Sequence, residues 1–336
     1  MIARRAADRE YGDPLKQARR AVSTGRFRDA LSQLTGLEQQ FGSSAEWLSL
    51  VAMASWRLGD FEESHRIALR ALSAYRARGD ADGEMRAQNV AAAGAFAVGR
   101  LDEARSGFER AQAIALQFRD NLMMARCANN LGNVVYYQAE HAEALRQYSH
   151  AASLFEQVGS IRGMAEAWHN AAVVLREEGD LVAARKATDR ALDCASRIAD
   201  PRMLGWTLGG SGETYALEGD LPLGRAMVER ALKLAQDNED RLTEVDCLRI
   251  LSHIAGEEDR LDEAIDTARK AADLASDLGN PWMIAKAQQQ LANVLSAAGP
   301  SSEAAEALEA AAQAFDKMGA ESRAAGTRAR MRAILD

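Results

Sequence analysis

The chain has 336 residues, of which 47% are apolar, 27% charged and only 6% aromatic, and its net charge is -8 at pH 7. That acidic balance argues against generic nucleic-acid binding, which needs a basic surface to displace counterions, and no stretch approaches the roughly 20 apolar residues of a membrane span. Frequent alanine, five prolines and sparse β-branched residues favour helix over strand, because alanine loses no side-chain entropy in a helix.

The start, "MIARRAADREYGDP", is positively charged without an apolar core segment, so no secretory signal is expected there. Residues 11–42 read as a short helical hairpin. From 43 to 320 the sequence repeats every forty residues. Ala71, Ala111, Ala151, Ala191, Ala231, Ala271 and Ala311 form one column. Gly59, Gly99, Gly179, Gly219 and Gly299 form a second, interrupted by Ala139 and Asp259. A third is always small: Ala52, Ala92, Gly132, Ala172, Gly212, Ser252 and Ala292. A period of this length signals a stacked array of one supersecondary unit.

Within each unit an apolar-periodic segment closes at glycine, which supplies the left-handed conformation that ends a helix. The next residue is often aspartate, as at Asp60, Asp180 and Asp220, a cap for a following helix. Each of the seven units is therefore a helical hairpin, and residues 321–336 form a closing, capping helix of one all-α solenoid spanning 1–336. Pro14, Pro201, Pro222, Pro281 and Pro300 all fall at expected helix starts or turns, where proline is tolerated.

The segment "LGGSGETYALEGD" (208–220) breaks the alanine-rich style, and Gly205 and Gly210 have the spacing that opens a phosphate-binding loop. A phosphate loop needs a preceding strand and Lys-Ser/Thr after its last glycine, and neither is present. In the repeat register this is the first helix of the fifth forty-residue unit. Gly205, Gly209 and Gly210 each cost about 1 kcal/mol against alanine in a helix interior, so the segment is expected to be a flexible joint or a site of close backbone approach.

Cys127, Cys194 and Cys247 are far apart, without metal-ligand spacing, and read as buried apolar residues of a reducing, cytoplasmic setting. Glu213, His253 and Glu257 are expected to form an ordinary Glu–His ion pair in preference to a metal site. His65, His141 and His150 are expected to face solvent. No catalytic constellation and no cofactor motif is found, so the chain is read as no enzyme.

"ANNLGNVVYYQAEHAEALRQYSHAASLFEQVG" (128–159) resembles a tetratricopeptide repeat, with Leu131, Gly132, Ala144, Tyr148 and Ala151 on that family's signature spacing. Ala128 and Val135 depart from the preferred tryptophan and tyrosine, whereas 168–192 restores the tryptophan as Trp168. The forty-residue period is similar to the longer-repeat branch that includes kinesin light chain, Pins-type adaptors and bacterial regulators. The resemblance implies a right-handed superhelix whose first helices line a concave groove. Carried onto this sequence, the groove positions are Trp56, Arg86, Asn89, Phe96, Arg126, Asn129, Asn133 and Tyr136, joined by Tyr137, with His169 continuing the row of Asn89 and Asn129. Arginines supply fixed charge, asparagines paired donors and acceptors that suit an extended peptide backbone, and aromatics are typical interface anchors. The expectation is a non-enzymatic adaptor or scaffold whose partner is a protein or peptide with acidic and apolar side chains. The alternative is a peptide-sensing domain of a bacterial transcriptional or signalling regulator, of which this chain would be a fragment.

Overall fold

A computed structural model describes residues 15–299 and 302–335. The expectations for Pro14, Pro300, the N-terminal start and residues 11–14 of the opening hairpin lie outside the described residues. The secondary structure is all helical. Lys16–Ser23 (α1) and Phe27–Thr35 (α2) form the opening hairpin, followed by the single turn Glu38–Phe41 (α3). Seven hairpins on the forty-residue period come next: Ala45–Arg57 (α4) with Phe61–Ala77 (α5), Ala81–Ala97 (α6) with Leu101–Phe118 (α7), Asn121–Tyr137 (α8) with His141–Gln157 (α9), Ile161–Glu177 (α10) with Leu181–Ser196 (α11), Pro201–Leu217 (α12) with Leu221–Asp237 (α13), Arg241–Glu257 (α14) with Leu261–Leu278 (α15), and Pro281–Ala298 (α16) with Ser302–Lys317 (α17). Glu321–Leu335 (α18) closes the array.

The turns follow from the sequence columns. Gly59, Gly99, Gly179 and Gly219 take φ between +78° and +93°, a region open to glycine at little cost. The two interruptions keep the geometry: Ala139 has φ +64° and Asp259 φ +58°. Asp60, Asp180 and Asp220 each accept a hydrogen bond from the backbone N–H three residues on, so all three cap their second helices. The same device caps first helices, at Asp80, Ser160 and Asp240.

The small column marks close approach between the two helices of a hairpin. A Cβ on Gly132 would lie 2.4 Å from Tyr148 Cε1, and one on Gly212 would lie 2.6 Å from Val228 Cγ2 and 2.8 Å from the Gly224 carbonyl. Ser64 uses the same proximity to donate a buried hydrogen bond to the Ala52 carbonyl at 2.8 Å. The alanine column is solvent-free throughout, from Ala71 to Ala311. Where large side chains enter the core they lock hairpins together, as Trp47 does through a buried bond from its indole N–H to the Leu34 carbonyl at 2.9 Å.

The described chain forms two compact units, unit 1 ending at Met123 and unit 2 running from Met124. Among the described residues no helix is long and apolar enough to cross a membrane. The three cysteines are free and buried. One expectation is corrected: His65 is buried, not solvent-facing, with Nδ1–H donating to the Ala91 carbonyl at 2.9 Å. It packs where Gly94 leaves room for its Cβ. His141 is half-buried against Glu177 and Glu178, and His150 is exposed.

Candidate functional site

In unit 1 the expected groove residues lie on α4 and α6. A cavity of about 130 Å³ opens between these helices and α5, lined by Ser49, Met53, Tyr75, Ala87 and Val90, with Arg86 at its edge. Met53 is exposed. Arg86 is exposed and paired with Asp82 one turn back on its own helix. Trp56 is half-buried, meets Phe61 edge-on at 6.2 Å and carries the Arg57 guanidinium over its ring at 5.2 Å. Its indole nitrogen is buried without a partner among the described residues, so Trp56 packs within its hairpin and does not stand free. Asn89 and Phe96 are half-buried on α6 and engaged with other groups.

Unit 2 holds the rest. Arg126 is exposed on α8. Asn129, buried, and Asn133, half-buried, are drawn into one amide cluster by Asn170 of the next hairpin. The Asn170 amide donates to Asn129 Oδ1 at 3.2 Å and Asn133 Oδ1 at 3.3 Å, and the Tyr148 hydroxyl donates to Asn133 Oδ1 at 2.8 Å. The two carbonyl oxygens are thus occupied, and the amide N–H groups of Asn129 and Asn133 are what the cluster can offer a ligand.

Further along, His169 of α10 lies against Trp206 of α12, ring centroids 3.6 Å apart. Burial, together with the nearby Arg176 guanidinium, pushes the imidazole pKa down to about 3, so His169 is neutral near pH 7. Gly210 makes room for the ring: a Cβ there would meet His169 Cε1 at 2.7 Å. The glycine-rich helix is therefore a site of close approach at Gly210 and Gly212, whereas Gly205 and Gly209 have ordinary van der Waals room.

A buried ion network runs across three successive first helices. Glu213 accepts from Arg249 at 2.7 Å and pairs with Arg176 at 2.9 Å, and Arg249 Nε donates to Asp246 at 3.0 Å. Arg176 also donates to the Gly210 carbonyl and the Thr214 hydroxyl. Burial alone would raise the Glu213 pKa, but the two guanidinium groups outweigh it and hold the carboxyl well below its usual range. Glu213 is thus taken by two arginines and is not the glutamate of the expected Glu–His pair. Among the described residues no cluster of His, Cys, Asp and Glu is arranged to hold a metal ion.

Tyr136 and Tyr137 end α8 in a second cluster. The Tyr136 hydroxyl donates to Glu177 Oε1 at 2.7 Å, and Glu177 also accepts from Lys286 at 2.9 Å and Arg323 at 3.1 Å. Burial would raise the Glu177 pKa, but Lys286, Arg323 and the tyrosine hydroxyl hold it at about 2. Burial pushes both tyrosine hydroxyls up. Repeat reasoning did not anticipate Asn170, Glu177, Trp282 or Arg323. For part of the network a signal was present: Glu213 and Arg249 are 36 residues apart, one helical turn short of the repeat, with opposite charge.

Residues 83–157 match the family model described as a tetratricopeptide repeat. No curated protein matches the chain in sequence. Among solved structures it is similar to a Rap protein complexed with competence and sporulation factor, at 13% identity and TM-score 0.65 with 96% of each chain covered. It is also similar to NprR in complex with its cognate peptide NprX, at 15% identity and TM-score 0.65, covering 96% of this chain and 97% of that one. A third is BtubC (BKLC) from P. vanneervenii, at 23% identity and TM-score 0.51 over 67% of this chain and 91% of that one. At these identities the likeness is one of fold, an all-α helical-repeat superhelix. The matched segment, the family spacing within 128–159 and seven hairpins in the same register together support a tetratricopeptide-repeat protein.

Proposed function

We propose that the first-helix faces bind a short peptide or an extended protein segment, and that the chain acts by binding, not by catalysis. The carrying observation is the polar first-helix surface around the amide cluster of Asn129, Asn133 and Asn170, whose N–H groups suit the carbonyls of an extended backbone. Within unit 2 the exposed Arg126 supplies positive charge for acidic side chains; unit 1, taken by itself, offers Arg86, exposed and paired with Asp82. The unit 1 cavity beside Arg86 accepts an apolar side chain. A catalytic role is disfavoured by the state of the acid and base candidates: Glu177 and Glu213 are each held by two cations, and His169 is buried and neutral. Three free, buried thiols fit a reducing, cytoplasmic setting.

Between adaptor and peptide sensor, the second reading gains support from two of the similar structures, one complexed with competence and sporulation factor and one with its cognate peptide. Selection of a random-peptide library on the immobilised protein tests the binding reading. Enriched sequences should place Asp or Glu beside an apolar residue, and Arg126→Glu should reduce their binding about tenfold or more, the scale of one charge-assisted contact. A library that yields no enrichment would remove the proposal.

A further inference from the structure

In unit 1 two successive first helices leave open a gap that the same register closes elsewhere. Ser49 of α4 and Arg86 of α6 stand, three repeats earlier, at the positions of His169 and Trp206. Between α10 and α12 those two rings stack with centroids 3.6 Å apart, and His169 is buried. Between α4 and α6 the short Ser49 and the exposed Arg86 border the cavity of about 130 Å³. Its floor is four buried alanines from three helices, Ala52, Ala68, Ala71 and Ala87, so no floor side chain reaches up to fill it. An apolar cavity of about 150 Å³ holds benzene, and this one is the size of a phenyl ring.

The rim is polar and rich in donors. Tyr75 of α5 lies against Gly83, where a Cβ would meet its ring at 2.1 Å. Its hydroxyl there accepts from the Ser49 hydroxyl at 3.3 Å. Two hydroxyls that share one hydrogen bond keep one O–H proton unspent, whichever of them donates. Arg86 is the single charged group among the lining residues. Its pair with Asp82 leaves the two side chains 60% and 49% exposed, and such pairs hold weakly, so the guanidinium is free to turn to a ligand. An alanine floor below a guanidinium and a spare hydroxyl proton suits an apolar group that carries an acceptor of negative charge.

We propose that this cavity is a recognition pocket for a phenyl-sized apolar group with a carboxylate close beside it. The ring enters over the alanine floor, and the carboxylate accepts from Arg86 and from the spare proton of the Ser49–Tyr75 pair. The occupant is a phenylalanine of the bound segment next to an aspartate or glutamate. That occupant rests on the peptide-binding reading above, while the pocket itself is tested with small acids alone.

The experiment uses the full chain, methyl-labelled at methionine, with Met53 of the cavity wall as reporter and Met53→Leu to assign its signal. 3-Phenylpropanoate should shift the Met53 methyl saturably at millimolar concentration, and the neutral 3-phenylpropan-1-ol should bind about tenfold more weakly, the scale of one charge-assisted contact. Arg86→Gln should bring the acid down to the alcohol. The double variant Ser49→Ala/Tyr75→Phe, which lacks both hydroxyls, should weaken the acid about threefold or more. Val90→Phe, which fills the cavity from its wall, should abolish binding of both with helicity unchanged, and Arg126→Gln in unit 2 should change neither. No saturable shift in wild type, equal affinity for acid and alcohol, or acid binding unaffected by Arg86→Gln overturns the pocket. The blocked dipeptide acetyl-Phe-Asp-amide carries the same two groups on a chain and should shift the same methyl. Binding of phenylpropanoate without the dipeptide overturns the peptide occupant. A peptide library that enriches nothing while phenylpropanoate binds removes the peptide-binding reading and leaves the pocket standing.

Discussion

Trp282 lies flat against Tyr137, their planes 10° apart, although the two residues belong to the seventh and third forty-residue hairpins. Stacking at a centroid distance of 4.3 Å is among the preferred aromatic geometries. It is joined by an ion cluster at Glu177 that gathers Lys286 from the same helix as Trp282 and Arg323 from α18. A face that the repeat columns mark as ligand-binding is partly covered by its own chain.

The Glu177 cluster makes unit 2 acid-sensitive in a defined window. With a folded pKa of about 2 against about 4.3 for an unfolded glutamate, the carboxyl contributes stability that is fully present above about pH 4.3. That contribution is lost as pH falls toward 2. It is at most about 3 kcal/mol at neutral pH. Urea unfolding of wild type and Glu177→Gln between pH 7 and pH 2 should show two curves that converge at the acid end. Parallel curves would contradict the assignment.

The Arg176–Glu213–Arg249 network should be the more costly one to break. Glu213→Gln keeps the shape but leaves two buried guanidinium groups without its charge, and breaking a buried pair typically costs about 3 kcal/mol or more. Asp246→Asn, at the more exposed end of the network, should cost under about 1 kcal/mol. Chemical denaturation of the two variants checks the order.

Two neighbouring glycines should respond to alanine with opposite sign. At Gly209 the added Cβ makes ordinary contacts, 3.6 Å to Cys247 Sγ, so the helix-propensity gain of up to about 1 kcal/mol should appear. At Gly210 the Cβ lands 2.7 Å from a His169 ring backed by Trp206, and overpacking of about 1–3 kcal/mol should outweigh the same gain. Thermal unfolding of Gly209→Ala and Gly210→Ala decides it.

Ala139 and Asp259 sit in left-handed conformation where the other turns of their column carry glycine. Ala139→Gly should stabilise by up to about 1 kcal/mol, because the Cβ penalty of that region disappears. Asp259→Gly should give less, since aspartate tolerates the region better than alanine. Melting temperatures that fall for both would contradict the argument.

The hairpins were legible because periodic glycine, capping aspartate and small columns each encode a local requirement: a positive φ, a capped N–H, a close approach. Helix bounds at Ala45, Pro201 and Glu321 follow from those signals. That Tyr136 ends a first helix was legible too, but its burial was not. What covers it comes from Trp282 and Arg323, whose meeting depends on how many hairpins complete the turn, a property of accumulated geometry and not of any one repeat. His65 was misjudged for a related reason: Gly94, a residue of the next hairpin, decides that its ring is buried.

The central claim is that the first-helix faces bind peptide, and a hydrogen-exchange footprint of a library-selected peptide on the full chain tests it most directly. Protection should gather on α8 and α10 around Asn129, Asn133 and Asn170. Protection confined to second helices such as α9 and α11, with the first helices unchanged, would contradict the account.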